Sequence, residues 1–106
     1  MPEFPEQYES IKKRFKKFLT AIDNLGKATR NAGPIDGKTA HLIQLAAATA
    51  IRSEGAVHSH TRRALQLGAV PEEIYHTIIL VTSTIGFPTV SAALSWADDV
   101  IKKQQS

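Results

Sequence analysis

The sequence contains no cysteine among its 106 residues. That excludes a disulfide framework, a thiolate zinc site and any peroxidatic or acyl-accepting thiol, and leaves chemistry to other side chains. G-x-S-x-G, P-loop, G-x-G-x-x-G and H-E-x-x-H patterns are equally absent, so the common nucleophile, phosphate and zinc-protease signatures are missing. No alternation of apolar and polar residues persists long enough for a β-strand, and no internal repeat or low-complexity segment is visible. The segment Met1-Pro2-Glu3-Phe4-Pro5-Glu6 lacks the basic start and apolar run of a secretory signal, which makes a cytoplasmic location the expectation. Formal charge is absent from Ile74 to Ala97, a stretch long enough to span a bilayer. Gly86-Phe87-Pro88 interrupts it, and His76, Thr77, Thr82, Ser83, Thr84, Thr89, Ser91 and Ser95 are scattered through it. It therefore reads as two buried helices, and no membrane partner is expected.

Apolar residues make up 42% of the chain and charged residues 22%, the composition of an ordinary folded domain. The net charge of +3 has a local source in Lys12, Lys13, Arg14, Lys16 and Lys17. Ile11, Phe15, Phe18, Leu19, Ile22 and Leu25 interleave with these bases at helical spacing. The cluster is thus the polar face of an amphipathic helix, and no nucleic-acid partner is expected.

The pattern predicts an all-α fold of five helices around a central helical hairpin. The first runs from about Pro5 to Arg30, closed by Asn31-Ala32-Gly33-Pro34. A second, with Asp36 as N-cap, runs from Gly37 to Arg52, and a third from Ala56 to Leu67, with Gly68 as its C-terminal cap. Pro71-Glu72-Glu73 opens a fourth that reaches about Ile85. Pro88 opens a fifth that continues to about Lys103. Residues 1–33 are the amphipathic N-terminal helix, 34–101 the helical core and 102–106 a polar tail, within one domain overall. The fourth and fifth helices carry Ile74, Ile78, Ile79, Leu80, Val81, Ile85, Phe87, Val90, Leu94 and Trp96 nearly all round. A chain of this size cannot bury that much apolar surface alone, so a homo-oligomer is expected.

His60 shares a helical stripe with Ser53 and Ala56, and His41 shares one with Leu45, Ala48 and Arg52. Measured from Ser53, His41 lies about 18 Å and His60 about 10 Å along an antiparallel hairpin at ~1.5 Å per residue. On that count, direct contact needs a large crossing angle or a neighbouring subunit, and otherwise a bridging water. Glu54, His58 and Arg62 follow one another at four-residue spacing on another face, the pattern of a solvated ion-pair ladder. His58 and His60, two residues apart on a helix, diverge, so no metal or other cofactor is assigned.

Two segments resemble a known family: Asp36-Gly37-Lys38-Thr39-Ala40-His41-Leu42-Ile43, and the run from His60 to Ile74 containing Gly68-Ala69-Val70-Pro71-Glu72-Glu73. Together with Gly86-Phe87-Pro88 they are similar to the carboxymuconolactone decarboxylase and alkylhydroperoxidase D-like family over roughly Pro34 to Val100. The resemblance implies a helical domain that assembles as a trimer or hexamer. In the alkylhydroperoxidase branch a C-x-x-C pair precedes the histidine and a glutamate lies one helix earlier. Here Ser53 and Ala56 stand in the cysteine positions, His41 stands in the glutamate position, and His60 alone matches. Thiol peroxidase activity is therefore not expected. The lactone decarboxylase branch, which also lacks the cysteine pair, is the nearer analogue. It implies acid–base chemistry on a small organic acid or lactone, with His60, His41 and Ser53 as candidate catalytic residues and Arg52 and Arg63 as candidate carboxylate anchors. The rival expectation is an oligomeric ligand-binding module without catalysis.

Overall fold

The structure is a computed structural model that describes residues 6–105. Helices account for all the regular structure among them: α1 (Glu6–Arg14), α2 (Lys16–Arg30), α3 (Gly37–Ala50), α4 (Glu54–Gln66), α5 (Pro71–Leu80), α6 (Thr82–Ile85) and α7 (Phe87–Gln105). No described helix is long and apolar enough to cross a membrane. The positive φ of Gly86, 94°, ends α6 and divides the uncharged stretch as its glycine predicts. The chain forms two compact units, Met1–Pro34 and Ile35–Ser106.

In the first unit the expected single helix is broken. Phe15 leaves helical geometry at φ −135° and ψ 60°, and the Tyr8 hydroxyl donates to Asp23 Oδ2 at 3.0 Å. Fifteen residues of straight helix would set those groups about 22 Å apart. The bond therefore requires α1 to fold back on α2. The like-charged pairs Lys12/Lys16 and Lys13/Lys17 oppose a continuous helix across this point, and the Arg14 guanidinium lies 5.2 Å from the Phe15 ring centroid.

In the second unit the hairpin of α3 and α4 packs with α5 and α7 around Leu45, Val57, Ile74, Ile78, Val90 and Ile101, all essentially inaccessible. Burial of a side chain of this size contributes roughly 1.5–3 kcal/mol. Asp36 caps α3 as its sequence position predicts, accepting from Thr39 N at 2.7 Å. That N–H holds the Asp36 carboxyl below its ordinary value. At the start of α5, Glu73 Oε1 accepts from Val70 N at 3.0 Å, while Oε2 pairs with Lys38 of α3 at 3.1 Å. Val70 N–H, then Lys38, lower the Glu73 carboxyl in turn.

Two helix ends use the same device. After α4, Gly68 N bonds to Leu65 O and Ala69 N to Ala64 O, with Gly68 at φ 101°. After α3, Arg52 N bonds to Thr49 O and Ser53 N to Ala48 O, with Arg52 at φ 57°. This is the paired bonding of a Schellman cap, with arginine where glycine is usual. It stops α3 at Ala50, two residues short of the expected end, and makes the hairpin turn tight.

Candidate functional site

The tight turn brings the two candidate histidines together. His41 Nδ1 and His60 Nδ1 are 3.1 Å apart, with ring centroids 5.3 Å apart and planes inclined by 38°. The expected offset of about 8 Å is therefore corrected. His41 lies nine residues before the end of α3 and His60 six after the start of α4. Counted from those ends, the difference is only about 4.5 Å at ~1.5 Å per residue, which two imidazoles span without water or a second subunit. His41 is 4% exposed and occupies the position one turn before core residue Leu45. His60 is half-buried. A hydrogen bond between two Nδ1 atoms requires one to carry the proton and the other to accept it, so at least one ring in the bonded pair is neutral.

Of the other candidates, Ser53 and Arg52 lie at the hairpin turn and Arg63 on the same helix as His60. Ser53 is the N-cap of α4, its hydroxyl accepting from Ala56 N at 3.3 Å, two helical turns from His60. The Arg52 guanidinium donates to Thr89 Oγ1 at 2.9 Å, tying the hairpin turn to the start of α7. Arg63 is half-buried one turn beyond His60 and makes no hydrogen bond or ion pair with the described residues. The divergence expected of His58 and His60 holds: His58 Nε2 lies 3.0 Å from Asp99 Oδ2 and 4.0 Å from Glu54 Oε2.

Two buried polar groups lie on the same two helices as the pair. Thr61, fully buried, and Gln44 have side-chain oxygens, Oγ1 and Oε1, that are buried without a hydrogen-bond partner among the described residues. The signal for Thr61 was its position: with Val57 and Ala64 it forms the buried stripe of α4, so a hydroxyl there is a polar group at a core position. Gln44 lies one turn from His41 on α3. Unpaired buried oxygens of this kind mark places where a bound molecule or water is accommodated at little further desolvation cost.

Residues 16–99 match the model of the carboxymuconolactone decarboxylase family. The uncharacterized protein MJ1511 of Methanocaldococcus jannaschii is 32% identical over 105 residues, covering 93% of this chain and 98% of that protein. The fold is also similar to the crystal structure of apo-lpg0406, a carboxymuconolactone decarboxylase family protein from Legionella pneumophila. The TM-score is 0.78 at 25% identity, over 94% of this chain and 88% of that one. With a family match across most of its length and a relative above 30% identity, the chain belongs to the carboxymuconolactone decarboxylase family.

Proposed function

We propose that this family member performs acid–base chemistry on a small organic acid or lactone, with His60 as the proton-transferring group. The carrying observation is the 3.1 Å contact between His41 Nδ1 and His60 Nδ1. With the two Nδ1 atoms turned on each other, proton exchange with a bound molecule passes through His60 Nε2. When that atom takes up a proton, His60 Nδ1–H donates to His41 Nδ1, and the buried imidazole orients and stabilises the cation formed. His41 is thus a positioning residue and His60 the catalytic one. Arg63, one turn from His60 and without a hydrogen bond or ion pair among the described residues, supplies the carboxylate anchor in this scheme. Ser53 and Arg52, occupied in the cap and with Thr89, serve the architecture of the turn.

A second reading, ligand binding without turnover, is favoured by that same occupation, which leaves the histidine pair without Ser53 and Arg52. We further propose a closed homo-oligomer as the working form, supported by the exposure of Ile79, Leu80 and Phe87 on α5 and α7.

A panel of small carboxylic acids and lactones, followed by thermal shift and by NMR for turnover, tests the proposal. Catalysis predicts product formation that disappears in His60→Ala and weakens in His41→Ala. A thermal shift without product supports the binding reading, and no shift or product with any member of the panel contradicts both.

A further inference from the structure

The side-chain cluster around His58 forms a second centre, independent of the histidine pair. Glu54 and His58 are one turn apart on α4, and α7 brings Asp99 to the same point. One ligand atom from each of the three lies within 4.8 Å of the other two. We propose that Glu54, His58 and Asp99 bind a divalent cation, zinc being the ion their chemistry fits best.

The donor set is one imidazole nitrogen and two carboxylate oxygens, which suits zinc better than soft cuprous ion or the all-oxygen preferences of calcium and magnesium. Tetrahedral ligands at zinc bond lengths stand about 3.4 Å from one another. The 3.0 Å from His58 Nε2 to Asp99 Oδ2 and the 4.0 Å to Glu54 Oε2 bracket that value. The ligand atoms of Glu54 and Asp99 stand within 4.8 Å of each other, so closing on an ion draws the ligand atoms together by up to about 1.4 Å, in carboxylate side chains that are 58% and 57% exposed and free to adjust. The imidazole, at 25%, is the fixed member.

The protein's own bonding also leaves room for a cation. As a donor, His58 Nε2–H satisfies Asp99 alone, because Glu54 at 4.0 Å is beyond hydrogen-bond reach. Two carboxylates thus converge on a ring that bonds only one of them, and a dication satisfies both while the ring binds through a deprotonated Nε2. Water would complete the open coordination sphere of such an ion. The ion would tie α4 to α7, so its binding is readable as stability. His58 and His60 are separated by about 160° around α4, which keeps the cluster distinct from the His41–His60 pair.

The test uses tag-free, chelator-treated full chain, titrated with zinc chloride by calorimetry and with cobalt(II) by visible absorption. One ion per chain and a raised Tm are expected. His58→Ala and Asp99→Asn should weaken binding at least tenfold, with Glu54→Gln a milder third variant and the unfolding of each metal-free variant measured to show that it is folded. The exposed His76→Ala and the pair variant His60→Ala should bind like the parent. Absence of saturable binding up to millimolar zinc would overturn the proposal. So would equal affinity in His58→Ala, or binding lost with His60→Ala alone, which would move the ion to the histidine pair.

Discussion

His41 of α3 and His60 of α4 meet through the same ring atom, Nδ1 to Nδ1, at 3.1 Å. A bond of that kind exists only while one ring is neutral, and its formation depends on where the two helices end. The turn that sets those ends is therefore the first place to test.

Arg52 holds φ 57° at the position that Gly68 holds in the equivalent cap. The left-handed conformation costs a non-glycine residue about 1 kcal/mol, whereas an exposed hydrogen bond such as that to Thr89 is worth about the same or less. Arg52→Ala keeps the strain and loses the bond, while Arg52→Gly loses both. In urea unfolding, Arg52→Gly should exceed Arg52→Ala in stability by about 1 kcal/mol. The reverse order would mean the backbone at this turn is not strained.

Thr61 and Thr49 are both fully buried, yet among the described residues Thr49 alone of the two has a side-chain bond, donating to Leu45 O at 3.0 Å. Thr61→Val removes an unpaired hydroxyl and should raise stability, while Thr49→Val discards a bond and should lower it, each by about 1 kcal/mol. Thermal unfolding of the two variants checks the opposite signs. A loss in Thr61→Val that tracks a loss of ligand binding would assign the hydroxyl to a bound molecule.

Asp36 and Glu73 both have carboxyls held below their ordinary values of 3.8 and 4.5 by backbone N–H groups. A depressed folded value stabilises the folded state above the ordinary value, and the contribution fades as pH falls through the folded one. Tyr75 is shifted the other way, raised by its 2.7 Å bond to Asp98 and then by burial. Its contribution is complete below the ordinary 10.0 and is lost as pH rises through the folded value. Urea midpoints across pH should therefore fall at both extremes. Asp36→Asn with Glu73→Gln should flatten the acid limb and Tyr75→Phe the alkaline one, and unchanged limbs would contradict these assignments.

Leu80 and Phe87 are 64% and 65% exposed, so charged replacements there leave the core untouched. The proposed assembly predicts a light-scattering mass of about three or six times that of the chain, and dissociation to monomer in Leu80→Glu, Phe87→Glu. A wild-type monomer at micromolar concentration contradicts it.

Much of the architecture was legible in the residues, and the exceptions have physical causes. Asp36, Gly68, Pro71 and Gly86 punctuate the chain where their backbone chemistry predicts. The break at Phe15 carries no glycine or proline signal, and depends on a Tyr8–Asp23 bond that only the folded hairpin reveals. The end of α3 was misread because arginine occupies a left-handed position that sequence rules reserve for glycine. That error displaced the hairpin midpoint and with it the expected separation of His41 and His60. Of the candidate site, the stripes carrying His41 and His60 were legible, but their direct contact was not. Nor were the cap that Ser53 makes and the bond from Arg52 to Thr89, since the same side chains serve capping and chemistry equally well.

The most direct test of the shared proton is long-range proton–nitrogen NMR of the imidazole rings across pH. Near neutrality the account predicts one of the two rings protonated at Nδ1, the other accepting at Nδ1, and titrations of His41 and His60 that shift together and are decoupled by replacing either residue. Two rings that both carry their proton on Nε2 and titrate independently, unaffected by loss of the other, would contradict it.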